Sequence, residues 1–192
     1  TCALPIWQKA NFDTIGYDIF YSGKEKYLLP EVAKWSVDLE PRPNHFDRRV
    51  TITTPLQKAG AYLVRAKIKD GNEAFIVIWV NDLAIARKPV NGKYLYFAAD
   101  AVNGQPVAGA NLEFFGWRME WNERQKRNNL ITKNFAEETD ADGFAEAEPN
   151  MLDNNFQWLT VARTPGGKLA HLGFSGGWVG PYQGEGYGGV RI

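Results

Sequence analysis

The chain has 192 residues, 44% hydrophobic and 14% aromatic, enough to bury a core in one large or two small domains and too apolar for a disordered chain. Twenty-two basic residues balance twenty-two acidic ones, which argues against nucleic acid or an anionic membrane surface as the main partner, since both need a basic excess. The single cysteine, Cys2, excludes an internal disulfide, and no run reaches the roughly 18 apolar residues of a membrane span.

In chain order, the first signals are mixed. Tyr17, Ile19 and Tyr21 alternate as in a strand, and Ser22-Gly23-Lys24 reads as a turn. Trp35, Val37 and Leu39 alternate with Ser36, Asp38 and Glu40, which predicts a half-buried strand ended by Pro41 and Pro43. RVTITT at 49–54 is short and β-branched. Residues 61–69 give the cleanest alternation of this half, with Tyr62, Val64, Ala66 and Ile68 facing one way and Arg65, Lys67 and Lys69 the other. Asp70-Gly71-Asn72 turns the chain into an apolar strand at 74–80, expected to be buried. That hairpin closes a first β-sandwich module over residues 1–81. The boundary at Asn81-Asp82 has no flexible linker, which suggests packed, serially arranged domains.

A second module spans 82–176. Residues 83–90 form its first strand, and Asn91-Gly92 is a strong hairpin signal because both residues tolerate positive φ. In the next strand Leu95, Phe97 and Ala99 oppose Tyr94, Tyr96 and Ala98. Asn103-Gly104 turns again, and residues 107–115 read as a third strand around Gly109-Ala110, with Trp117, Met119 and Trp121 continuing its alternation. A polar loop is expected at 122–129, then a return strand at 131–135, a turn at 139–143 (TDADG), and strands at 156–163 and 169–174. Residues 177–192 are a Gly/aromatic connector to a following module. The chain stops at Ile192 as GGVRI begins another strand, and we expect it to belong to a longer protein. The predicted fold class is all-β, as two tandem β-sandwiches of immunoglobulin-like type.

Candidate chemistry is sparse. DADG at 140–143 resembles part of a calcium loop, but Glu146 and Glu148 miss the spacing of the closing ligand and the flanks are strands, so a β-turn is the better reading. His45 and His171 are the only histidines, and with Cys2 distant from both they make no zinc pattern. RQKR at 124–127 is a solvated loop rather than a phosphate-binding patch. Trp35, Trp79 and Trp158 lie in alternating strands and are expected in the core, whereas Trp117, Trp121 and Trp178 could form a sugar platform. The glycines at 184–189 lack the strand–helix context of a nucleotide loop, and no nucleophile–base–orienter set can be assembled. We therefore expect no catalytic, cofactor-binding or metal-ligating residue and no enzymatic activity.

Five stretches, in order, resemble the N-terminal macroglobulin-type modules of large bacterial alpha-2-macroglobulin-like proteins. They are TTPLQKAGAYLVRAK (53–67), IVIWVNDLAIARK (76–88), YFAADAVNGQPVAGANLEFFGWR (96–118), KNFAEETDADGFAEAE (133–148) and FQWLTVARTPGGKLAHLGFSG (156–176). The resemblance implies an extracytoplasmic endopeptidase inhibitor, periplasmic or secreted, that traps target proteases through a bait segment and, in many members, a thioester. No thioester motif occurs in the sequence, so these modules would be scaffold, with neighbouring modules of the same chain as direct partners and no membrane contact of their own. Two alternatives remain from other classes: a secreted adhesin or carbohydrate-binding sandwich, and a transthyretin-like regulatory module.

Overall fold

A computed structural model describes residues 19, 21, 23, 25–40, 44, 49–90, 92–148 and 150–176. The expectations for Cys2, Tyr17, the Pro41 to Pro43 stop, His45, Asn91, Trp178, the glycines at 184–189 and the 177–192 connector lie outside the described residues. Apart from helical backbone at Ile19 and Tyr21, a 3-10 turn over Glu25–Tyr27 and 3-10 backbone at Asn44, the regular structure of the described residues is β. The chain divides into two compact units, Thr1–Val80 and Asn81–Ile192.

The second unit is built from antiparallel sheets. It follows a first-unit hairpin of two strands, β1 (Gly60–Lys67) and β2 (Glu73–Val80). Its own strands are β3 (Leu83–Val90), β4 (Lys93–Asp100), β5 (Asn111–Asn122), β6 (Arg127–Glu138), β7 (Phe144–Ala147), β8 (Gln157–Arg163) and β9 (Leu169–Gly176). One sheet has the order β3-β4-β7 and the other β6-β5-β8-β9. The chain therefore crosses between sheets after β4, after β6 and after β7. Gly92, at φ 80°, sits in the turn joining β3 to β4, where a residue with a Cβ would be disfavoured.

The core lies between the two sheets. Leu83, Tyr94, Tyr96, Ala145 and Ala147 from the first sheet meet Leu112, Phe114, Trp158, Ala162 and Ala170 from the second. Tyr96 packs edge-on against Phe114 with ring centroids 5.0 Å apart, and Phe114 stacks on Phe135 at 4.4 Å. Trp158, only 1% exposed, meets the edge of Phe135, and its indole N–H donates to the Asp153 carbonyl at 3.0 Å. Alternation alone could not decide which face of β4 is internal; Tyr94, Tyr96 and Ala98 are. Phe97 packs instead on Phe144 at 5.0 Å, on the opposite face of that sheet.

The sequence reading of the region after Phe115 needs revision. The third strand starts at Asn111, because residues 106–110 form the crossover itself. The expected loop at 122–129 shrinks to a turn at 123–126, and Asn128 and Asn129 belong to β6, opposite Trp121 and Glu120. Asn122 Oδ1 accepts the Gln125 amide at 2.9 Å and Lys126 adopts φ 50°, so the turn closes with few residues. β8 pairs with β5 only up to Trp117, so residues 118–122 and 127–131 extend past the sheet as a two-stranded arm.

The first unit departs further from expectation. Its described sheet has just two strands, β1 and β2, in register from Gly60↔Val80 to Lys67↔Glu73. Ile19 and Tyr21 are helical rather than in a strand. Residues 29–40 and 49–57 carry no regular structure, although both have strand-like alternation. Trp35, Val37 and Leu39 are exposed, and Ile76 in β2 is 61% exposed rather than buried. Period-2 alternation reports which faces a strand would have; only a hydrogen-bonding neighbour makes it one.

Gly116 shows how tightly the second unit is packed. A Cβ placed there would lie 2.7 Å from the Trp158 ring. Gly116→Ala should therefore destabilise the protein by about 1–3 kcal/mol, the usual cost of overpacking a filled core. Urea denaturation followed by tryptophan fluorescence measures it; an unchanged midpoint would contradict this packing.

Candidate functional site

Two places gather the residues that stood out in the sequence: one end of the second unit, and the β5–β6 arm. At the end, the two crossovers that leave and re-enter the first sheet meet at the backbone of Ala98. Its N–H donates to the Gly143 carbonyl at 2.9 Å, and its carbonyl accepts the Val107 amide at 3.0 Å. Thr139, 4% exposed, ties the pieces together. Its hydroxyl accepts from the Ala110 amide at 2.8 Å and donates to the Val107 carbonyl at 2.7 Å. Its backbone bonds Gly109 and Ala110 at 2.9 and 3.0 Å. Gly143 has φ 80°, and a Cβ there would stand 2.7 Å from the Ala98 carbonyl oxygen, so glycine is required twice over.

The DADG turn lies in this same cluster. Asp140 Oδ1 accepts the amides of Asp142 and Phe144 at 3.0 and 2.8 Å, which is the bonding of an Asx-type turn. Among the described residues no group of three His, Cys, Asp or Glu side chains gathers that could hold a metal ion.

Two further aspartates, which the sequence reading passed over, close the same end. Asp82 Oδ1 accepts the Leu169 amide at 2.6 Å while its own amide donates to the Leu169 carbonyl at 3.1 Å, joining the start of β3 to the start of β9. Asp100 pairs with Lys168, and its Oδ1 accepts the amides of Val102 and Asn103 at 2.9 and 3.1 Å. Lys168, then those amides, hold the Asp100 carboxyl down at about 2. The only sequence signal for these roles was the Asp-x-x-Asn-Gly spacing around Asp100; nothing local marked Asp82.

The tryptophans separate. Trp158 is core, whereas Trp35 is 38% exposed and Trp79 half-buried, so neither is the core residue its alternation predicts. Trp117 and Trp121 share one face of β5 with Met119 between them. Trp121 and Met119 are 51% and 61% exposed, and the Trp121 indole N–H donates to Glu123 Oε1 at 2.9 Å. On the other face Arg118 lies over the Phe156 ring at 5.0 Å. RQKR at 124–127 forms the exposed turn and first β6 residue at the arm's tip, where Lys126 pairs with Glu123 at 2.8 Å.

His171 lies on β9 opposite Val161, beside a β-bulge between Thr160 and Val161. Burial lowers its imidazole to about 4. In the core, the Tyr96 hydroxyl and Thr160 Oγ1 are both buried, and they face each other. Burial, countered in part by Arg87 and Thr160, raises the Tyr96 phenol, so it stays protonated at neutral pH. Chemically, then, these described sites hold turns and close a sandwich; none aligns a nucleophile with a base. No protein-family model, curated protein or solved structure matches the chain. No helix among the described residues is long and apolar enough to cross a membrane.

His171 and Asp100 titrate in separate pH windows. The unfolded His171 protonates near 6.5 and the folded one near 4, so its contribution to stability is complete above 6.5 and lost as pH falls to about 4. Asp100, at 3.8 unfolded and about 2 folded, contributes fully above 3.8 and loses that contribution as pH falls to about 2. Urea midpoints measured against pH should decline in both windows. His171→Gln should flatten the upper window alone and Asp100→Asn the lower one.

Proposed function

We propose that this chain is scaffold in an extracytoplasmic, alpha-2-macroglobulin-like protein that inhibits endopeptidases by trapping them. The observation that carries the reading is the role of the residues on which the resemblance rests. Val107, Gly109, Ala110, Thr139, Asp140 and Gly143 meet at one corner, where each closes a turn or a crossover. A motif kept for packing suits a repeated structural module, and the all-β architecture agrees with it. On this reading the two units are successive sandwiches, their outer surfaces meet neighbouring modules, and the bait segment lies elsewhere in the protein.

A carbohydrate-binding adhesin is the second reading. The half-exposed Trp121 and exposed Met119 on the arm favour it, since an aromatic face on a projecting strand suits sugar stacking.

The two readings differ in one experiment on the protein purified from its source. A trap incubated with an endopeptidase should co-elute with it, block digestion of a large protein substrate and leave cleavage of a small peptide largely intact. Protease that stays separate and digests both substrates would rule out trapping. Glycan-dependent quenching of tryptophan fluorescence, lost in Trp121→Ala, would then establish the adhesin reading.

A further inference from the structure

The β5–β6 arm carries an exposed tryptophan whose ring is held in place. Trp121 stands half-exposed next to the turn. Its indole N–H donates to Glu123 Oε1 at 2.9 Å, and Glu123 Oε2 pairs with Lys126 at 2.8 Å, so one carboxylate fixes the ring beside the tip. An aromatic ring fixed before a ligand arrives loses less entropy when the ligand stacks on it. The register sets Asn128 across from Trp121 and Thr132 across from Trp117, with Met119 and Leu130 between them on the same face. At the rise of a strand, Trp117 to Trp121 spans roughly 13 Å. The result is an apolar strip edged by an amide and a hydroxyl. A sugar chain offers the complement, with C–H faces for the ring and hydroxyls for the polar groups.

Charge narrows the kind of sugar. On the opposite face of the arm Glu120 lies 3.6 Å from Arg118, so those two charges offset each other. At the tip, Glu123 is the single carboxylate among residues 121–127, against Arg124, Lys126 and Arg127. Glu123 is engaged by Lys126, which leaves two arginines in excess. Arg127 Nε donates to Gln125 Oε1 at 2.9 Å, which orients its guanidinium. Arg124 is exposed and makes no polar contact among the described residues. The RQKR run is solvated, as its composition implies, but its place beside a fixed aromatic ring sets it apart from an ordinary loop. Guanidinium groups match carboxylates and sulfates in geometry as well as in charge.

We propose that the tip of the arm binds an anionic glycan, with Trp121 stacking on a sugar ring while Arg124 and Arg127 pair with carboxylates or sulfates on the same chain. An anionic bilayer carries the same sign of charge, but it would have to receive the Glu123 carboxylate together with the indole bonded to it. The glycan, which keeps that carboxylate in water, is the better match. The inference rests on the carbohydrate-binding reading of the arm and does not depend on protease trapping.

Isothermal titration of the full chain with tetragalacturonate, its neutral methyl ester and a heparin tetrasaccharide tests it. At least one acidic oligomer should bind, more weakly as salt is raised, and the neutral ester should bind less tightly than either acid that binds. Arg124 has no role in the fold, so Arg124→Glu should leave the protein folded and weaken the acidic oligomer roughly fivefold, the size of one exposed charge pair lost. Trp121→Ala should abolish binding, and Trp121→Phe should restore part of it. Equal binding of acid and ester, or an acid indifferent to Arg124→Glu, would overturn the anionic preference and leave carbohydrate binding by the arm in place. Binding indifferent to Trp121→Ala would overturn the site itself. A chain that binds none of the three oligomers would overturn the proposal and the carbohydrate-binding reading together, and adsorption of that chain to phosphatidylglycerol vesicles would assign the arm to a membrane surface instead.

Discussion

The fold of the second unit depends on one buried hydroxyl. Thr139 stands where the chain leaves β6 to return to the first sheet, and its side chain bonds both the Ala110 amide and the Val107 carbonyl of the opposite crossover. Crossovers between sheets are the weak points of a sandwich, because their backbone groups leave one ladder before joining another. In this unit a threonine and a glycine supply the missing partners. Thr139 satisfies residues 107–110, and Gly143, which alone can approach the Ala98 carbonyl so closely, presents its own carbonyl to the Ala98 amide. With the end fixed in this way, Tyr96 faces Phe114 across the core, and Trp158 fills the space that Gly116 leaves open.

The aspartates extend the same logic to side-chain charge. Asp82 and Asp100 lie at the ends of paired strands, and each turns its carboxylate toward backbone amides. Lys168 adds the opposing charge at Asp100. A carboxylate receiving two amides and an ammonium is already satisfied, which is why this cluster reads as architecture rather than as a ligand site. The buried hydroxyls of Tyr96 and Thr160 lie instead between the sheets.

Much of this was legible in the sequence, and the parts that were not share a cause. The Asn91-Gly92 and Asn103-Gly104 signals and the glycine of TDADG mark turns by backbone chemistry that depends on neighbours only locally. The alternation of Tyr94, Tyr96 and Ala98 likewise sets a strand, but which face was internal waited on the second sheet. Thr139 was visible as part of a motif, yet its burial and its two bonds span residues about thirty positions apart and leave no local trace. Residues 35–39 mislead for the opposite reason. Their local pattern is as good as that of β1, and what they lack is a neighbouring edge, which no periodicity reports. The length of the β5–β6 arm escaped because Asn128 and Asn129 are poor strand formers held in place by pairing with Trp121 and Glu120.

The Thr139 hydroxyl holds the two crossovers together, and replacing it tests that claim most directly. Thr139→Val keeps the volume and removes the two side-chain bonds, leaving a buried amide and a carbonyl unpaired. Equilibrium urea unfolding should show a loss of about 1–3 kcal/mol, with most of it recovered in Thr139→Ser. A valine variant as stable as the parent would contradict the claim, because the corner would then close without the hydroxyl.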